Sequence, residues 1–117
     1  MPIPTEITFH EMPASGGVEA AIHRWVARLE HVYDRIVACR VVVDQPHRRH
    51  RSGGEFHLRV VLSVPGEDVA VDQVRHADVY VAVADAFRAV RRQLQDHVAT
   101  RRDFVRSPLT IGRADAR

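Results

Sequence analysis

Two histidines and three arginines crowd one short stretch of this chain, Gln45-Pro46-His47-Arg48-Arg49-His50-Arg51-Ser52-Gly53-Gly54, and His57 follows close behind. Imidazoles at such spacing could ligate a transition metal. The surroundings argue against it: the stretch itself holds no cysteine or acidic ligand, and Arg48, Arg49 and Arg51 would repel a cation. Two readings of the stretch stay open. It is a solvated hairpin tip, or it is a basic finger for phosphate whose glycines give it freedom to adapt.

A second constellation is His76 with Asp78. A His-Asp couple can serve catalysis, but it needs a nucleophile. The chain has no Gly-x-Ser-x-Gly turn, no phosphate-binding loop ending in Gly-Lys-Ser/Thr and no His-Glu-x-x-His. Asp78 is better used at the start of a helix, where negative charge is favoured. No catalytic residue, metal, cofactor or small-molecule substrate is expected, and the chain is read as a non-enzyme.

These residues must be positioned by a single domain, since 117 residues leave little room for two. At 45 % apolar the chain can bury one ordinary core. No apolar run approaches a membrane span, and Met1 to His10 lacks the basic flank and apolar stretch of a signal peptide. The lone Cys39 cannot staple the fold. A cytoplasmic protein is expected. All 17 basic residues are arginine, a bias that a GC-rich genome explains in large part and that also suits phosphate recognition.

Hydrophobic periodicity supplies the elements. Residues 3–10 alternate as a strand, with Ile7 and Phe9 on one side and Glu6, Thr8 and His10 on the other. Ser15 can cap a helix whose stripe is Val18, Ile22, Trp25, Val26, Leu29, Val32 and Tyr33. Residues 36–44 form a second strand, with Val37, Cys39, Val41 and Val43 inward, which makes Cys39 a small core residue. Residues 55–64 alternate cleanly as a third strand. Pro65-Gly66-Glu67-Asp68 turns the chain into a short fourth strand over 69–74. From Ala77 to about Arg102 runs a long helix with Val79, Val83, Ala86, Phe87, Val90 and Leu94 as its stripe, and 103–117 reads as a tail.

The order β-α-β-β-β-α with alternating strands implies an α+β fold: a four-stranded mixed sheet with both helices packed on one face. A right-handed crossover through the first helix makes strands one and two parallel, and hairpins then make strands two, three and four antiparallel.

The polar faces of the helices carry the more informative signal. On a wheel of about 100° per residue, Arg24, Arg28, His31 and Arg35 share one flank of the first helix, while Glu19, Glu30 and Asp34 take the other. On the second, Arg88, Arg91 and Arg102 share a flank and Asp85 and Asp96 lie opposite. Arg24 with Arg28, and Arg88 with Arg92, are like charges four apart, which costs a few tenths of a kcal/mol each. Arg88 can reach Asp85 and Arg92 can reach Asp96, but Arg24, Arg28, Arg35 and Arg91 have no acidic partner within their own helix. Such a flank fits an external anion, or partners supplied by the sheet or tail. Few aromatics are exposed, so recognition of structured RNA through backbone and shape fits better than base stacking. If the helices lie side by side and parallel, Arg24, Arg28, Arg88 and Arg91 are expected to border one basic surface, with Glu19, Glu30, Asp85 and Asp96 turned away.

Several motifs together resemble a known family. They are Val26-Ala27-Arg28-Leu29-Glu30 leading to Tyr33 and a valine-rich strand, Pro46-His47-Arg48-Arg49-His50, and His76-Ala77-Asp78-Val79-Tyr80-Val81-Ala82-Val83 running on to Arg91-Arg92-Gln93-Leu94. They are similar to the ribosome hibernation promoting factor and ribosome-associated inhibitor A family, also called sigma-54 modulation proteins. The resemblance spans nearly the whole chain to about Arg102, and its most specific part is the His-x-Asp-x-Tyr-x-Ala segment with Arg-Gln-Leu.

The resemblance implies the same fold. It also implies a stress-response protein that binds small-subunit ribosomal RNA in the messenger and transfer RNA channel and silences idle ribosomes. The family's basic helix positions carry over to Arg28 and Arg92; Arg24, Arg35, Arg88 and Arg91 come from the wheel, and Arg48, Arg49 and Arg51 from the hairpin. Residues 1–102 would be the RNA-binding domain and 103–117 a flexible tail. Long members add a dimerisation domain, which is not expected here. The alternative function is a protein-binding stress adaptor that keeps the fold without the ribosome.

Overall fold

A computed structural model describes residues 3–46 and 55–100 in full and the backbone of 101–110. The element order is β1 (Thr5–His10), α1 (Gly16–Glu30), β2 (Ala38–Asp44), β3 (Phe56–Val64), β4 (Glu67–His76) and α2 (Val79–Thr110). The sheet order is β1-β2-β3-β4, with β1 parallel to β2 and the other pairs antiparallel, as the alternation and crossover rules require. Both helices cover one face, where Cys39, Val41, Val43, Leu58, Val60 and Leu62 meet Ile22, Leu29, Val83, Phe87, Val90 and Leu94 in one core. Each large side chain buried there contributes about 1.5–3 kcal/mol.

Local chemistry sets the element ends. Ser15 is in extended conformation before α1, and its Oγ accepts the Val18 N–H at 3.3 Å. Pro65 and Gly66 form the two-residue turn between β3 and β4, with Gly66 at φ 90°, a region that disfavours any residue with a Cβ. At α2 the Asp78 carboxylate accepts the N–H of Tyr80 at 2.9 Å and of Val81 at 3.4 Å. Asp78 thus serves the helix start, and His76 Nδ1 accepts the Asp78 backbone N–H at 2.9 Å.

β4 carries a bulge. Leu58 pairs with Val74 but Val60 with Val71, so β4 holds one residue more than β3 over this step. His57 Nε2 donates to the Asp72 carbonyl at 2.9 Å beside this irregularity, a backbone role for one of the three histidines weighed as metal ligands. No group of three or more potential ligands is placed to hold a metal among the described residues. His47, His50 and the arginine finger Arg48, Arg49 and Arg51 lie outside them.

Four boundaries differ from the sequence expectation. Regular α1 stops at Glu30, where the N–H groups of Val32 and Tyr33 both turn back to the Leu29 carbonyl. Arg35 therefore sits in the connection to β2 and not on the helical flank. Val37, expected inward, is 60 % exposed because β2 begins only at Ala38. β4 is longer than residues 69–74, starting at Glu67 and ending at His76, because the two-residue turn lets pairing resume at once. α2 continues to Thr110, eight residues past the expected end at Arg102, since no glycine or proline intervenes before Pro108 to stop propagation. Among the described residues no helix is long and apolar enough to cross a membrane.

Candidate nucleic-acid interface

The helices lie side by side and run the same way, and contacts at three levels fix their register. Near both N-termini the Tyr80 hydroxyl occupies the space that a Gly17 side chain would fill. In the middle Trp25 stacks on Phe87, with ring centroids 6.0 Å apart and planes at 14°. Beyond the end of α1, Tyr33 meets the His97 ring edge-on at 5.7 Å and 74°. Phe87 is fully buried, whereas Trp25 is only half-buried, so the indole bridges the core and the solvent side of the helix pair.

Two arginines from different helices converge on that indole. The Arg28 guanidinium carbon lies 4.7 Å from the ring centroid and that of Arg88 lies 5.7 Å from it. Both fall within the range of cation–π attraction. Residues three or four apart share a helical face, so Arg24 extends the row from Arg28, and Arg91 and Arg92 extend it from Arg88. All five side chains are exposed. Arg24, Arg28, Arg91 and Arg92 make no ion pair among the described residues; the Arg92–Asp96 contact allowed by spacing does not form. Arg88 is held at 3.6 Å by Asp85, so Asp85 stands beside the basic side and is not turned away from it. That pair is solvated on both partners and weak.

Two other acids do face elsewhere. The Glu30 carboxylate accepts the Ile3 N–H at 3.0 Å, on the β1 side of α1. Asp96 lines a hollow between α2 and β4 together with Glu67, Asp68 and His97. The structure thus brings Arg28 and Arg88 together and leaves Arg35 apart, in the α1–β2 connection.

Two residues of this region escape the sequence reading. Trp25 reads there only as part of the core stripe, although an arginine three residues on was a signal that its outer part could be covered by a cation. His97 is the one buried polar residue among those described; it pairs through Nδ1 with Glu67, while its Nε2 is buried without a hydrogen-bond partner. Its place three residues after Leu94 continues the α2 stripe and could have revealed its burial. On the core side of the sheet, burial pushes the Cys39 thiol up to about 12, which leaves it an unreactive packing group.

A family model described as sigma 54 modulation protein / S30EA ribosomal protein matches residues 5–102. Among solved structures, the chain is similar to the N-terminal domain of Protein Y from Thermus thermophilus, with a TM-score of 0.68 and 18 % identity over 83 % of this chain and 99 % of that one. It is also similar to a ribosomal subunit interface protein from Coxiella burnetii, with a TM-score of 0.72 and 13 % identity over 83 % and 99 % of the two chains. None of the curated proteins matches the sequence.

Proposed function

The chain belongs to the sigma 54 modulation protein / S30EA ribosomal protein family, and from that premise we propose that it is a non-catalytic ribosome hibernation factor that binds small-subunit ribosomal RNA. In this reading the protein occupies the channel of messenger and transfer RNA and keeps idle ribosomes silent in the cytoplasm. Residues 1–102 serve as the RNA-binding domain. Arg24, Arg28, Arg88, Arg91 and Arg92 contact the RNA backbone, with Arg35 and the hairpin arginines Arg48, Arg49 and Arg51 as outlying contacts.

One observation carries the proposal: Arg28 and Arg88, from separate helices, converge on one half-buried indole at the helix pair. On this surface Arg24, Arg28, Arg91 and Arg92 make no ion pair among the described residues and Arg88 has only the weak, solvated Asp85 pair, and like charges so concentrated attract a polyanion and are relieved by it. Backbone contacts of this kind release counterions, so affinity falls steeply with salt.

Co-sedimentation with purified small ribosomal subunits at low and high salt tests the proposal. Binding that weakens linearly on a log–log salt plot is the expected result. Absence of binding at low salt would leave the basic surface to another partner, such as an acidic protein.

A further inference from the structure

We propose that Trp25 is the positioning residue of a phosphodiester clamp, in which the indole holds the Arg28 and Arg88 guanidiniums so that both donate to one phosphate of an RNA backbone. This rests on the RNA-binding reading above and names the chemical group that this part of the surface takes.

The argument starts from what stacking does to an arginine. A guanidinium lying over an aromatic ring uses its flat face, and its N–H donors, which lie in the plane, stay free for an anion. Arg28 and Arg88 both lie over Trp25, so their charged centres are no further apart than the sum of 4.7 and 5.7 Å. Two like charges sharing one ring repel one another, the more so the nearer they lie within that bound. A phosphate between them turns that cost into two charge-assisted contacts. Lone arginines would lose rotamer freedom on binding; arginines already fixed by a ring lose less.

The platform is itself fixed. Trp25 stacks on Phe87, which is fully buried. Arg28 has no ion pair among the described residues, and the Asp85 carboxylate beside Arg88 is about half exposed at 3.6 Å, so an incoming phosphate can displace it.

Trp25 is the only tryptophan of the chain, so its emission reports on this spot alone. The full chain is titrated with a double-stranded RNA oligonucleotide, with small ribosomal subunits and with polyglutamate, and affinity is measured in parallel by sedimentation or filter binding. On the RNA oligonucleotide the Trp25 emission should change with the same midpoint as binding; on subunits, whose proteins carry tryptophans of their own, affinity alone is read. Trp25→Leu should weaken both affinities by about tenfold at unchanged net charge, while Trp25→Phe stays within about threefold. Arg28→Gln with Arg88→Gln should abolish the emission change and leave only residual binding by the other arginines. Circular dichroism confirms that each variant folds, and the emission of the unaltered protein decides the matter if Trp25→Leu does not. RNA binding with silent Trp25 emission overturns the clamp and spares the RNA reading, as does a folded Trp25→Leu variant of unaltered affinity. Equal affinity and emission change with polyglutamate overturn the phosphodiester assignment in favour of a carboxylate partner. If the protein binds neither RNA nor subunits, both proposals fall.

Discussion

Trp25 of α1 stacks on Phe87 of α2 with the two ring planes 14° from parallel, and this one contact couples the buried core to the charged surface of the helix pair. The inner ring is fully buried and the outer one carries two arginines. Phe87→Ala should therefore act twice. It should cost about 3–5 kcal/mol of stability in urea unfolding. In whatever fraction remains folded it should also loosen the platform and weaken RNA binding. A loss below about 1 kcal/mol would mean that the site collapses around the cavity and that the stack holds little together.

Reversing charge at Arg28 together with Arg91 should abolish association with small ribosomal subunits at moderate salt. Both side chains are exposed, and only Arg28 has a ring contact to lose, so the stability cost should be about 1 kcal/mol or less. Sedimentation and a thermal melt of the same sample check both halves. Retained binding would remove the helix surface from the proposed interface.

The hairpin finger is judged by its salt slope. Replacing Arg48, Arg49 and Arg51 by alanine should weaken RNA binding and make the slope shallower by roughly one unit per lost phosphate contact. An unchanged slope would reduce this stretch to a solvated turn.

His97 links α2 to Glu67 at the start of β4 while its other ring nitrogen stays buried without a partner. Glu67→Ala should cost about 1–3 kcal/mol, because it strips the buried imidazole of its one hydrogen bond. Adding His97→Phe to that variant removes the orphaned polar group and should recover part of the loss. Urea midpoints of the two variants decide it; a double variant no more stable than Glu67→Ala would assign the site to packing instead.

The Cys39 thiol, 9.0 when free and about 12 here, makes stability sensitive to alkali. The folded state holds this proton more tightly than the unfolded chain. The thiol's contribution is thus intact below pH 9.0 and is lost as pH rises toward about 12, with a limiting slope of about 1.4 kcal/mol per pH unit. Unfolding free energies at about pH 8 and about pH 10.5 should drop less for Cys39→Ala than for the native chain. Parallel curves would show that the thiol does not govern alkaline stability.

Periodicity made the sheet and both helices legible because each strand has one dry and one wet face. Val41, Val43, Leu58, Val60 and Leu62 alternate without a break, and all are fully buried. Ends were less legible where no sequence signal marks them: α1 closes at Glu30 through backbone hydrogen bonds to Leu29, and α2 passes Arg102. At the candidate site the basic flanks could be read from helical spacing. The meeting of Arg28 with Arg88 over Trp25 could not, since it depends on how far one helix is shifted along the other. That shift is set by the packing of Gly17 against Tyr80 and Trp25 against Phe87, pairs separated widely in the chain.

The strands lie in the sheet in the same order as in the chain, and this bears on how the molecule assembles. No strand has to insert between two others. β2, β3 and β4 can form as a meander through near-neighbour contacts, and α2 can dock on it at once. β1 must wait, because its parallel pairing joins residues such as His10 and Asp44, thirty-four apart in the chain, and needs the α1 crossover between them. β1 and β4 are the two edges of the sheet; β4 is tied to α2 through Glu67 and His97, which leaves β1 the first that can peel away. Amide protons of β1 should therefore exchange through a partial opening that leaves the meander shut, and the edge of β2 so uncovered becomes the place where a second chain could pair.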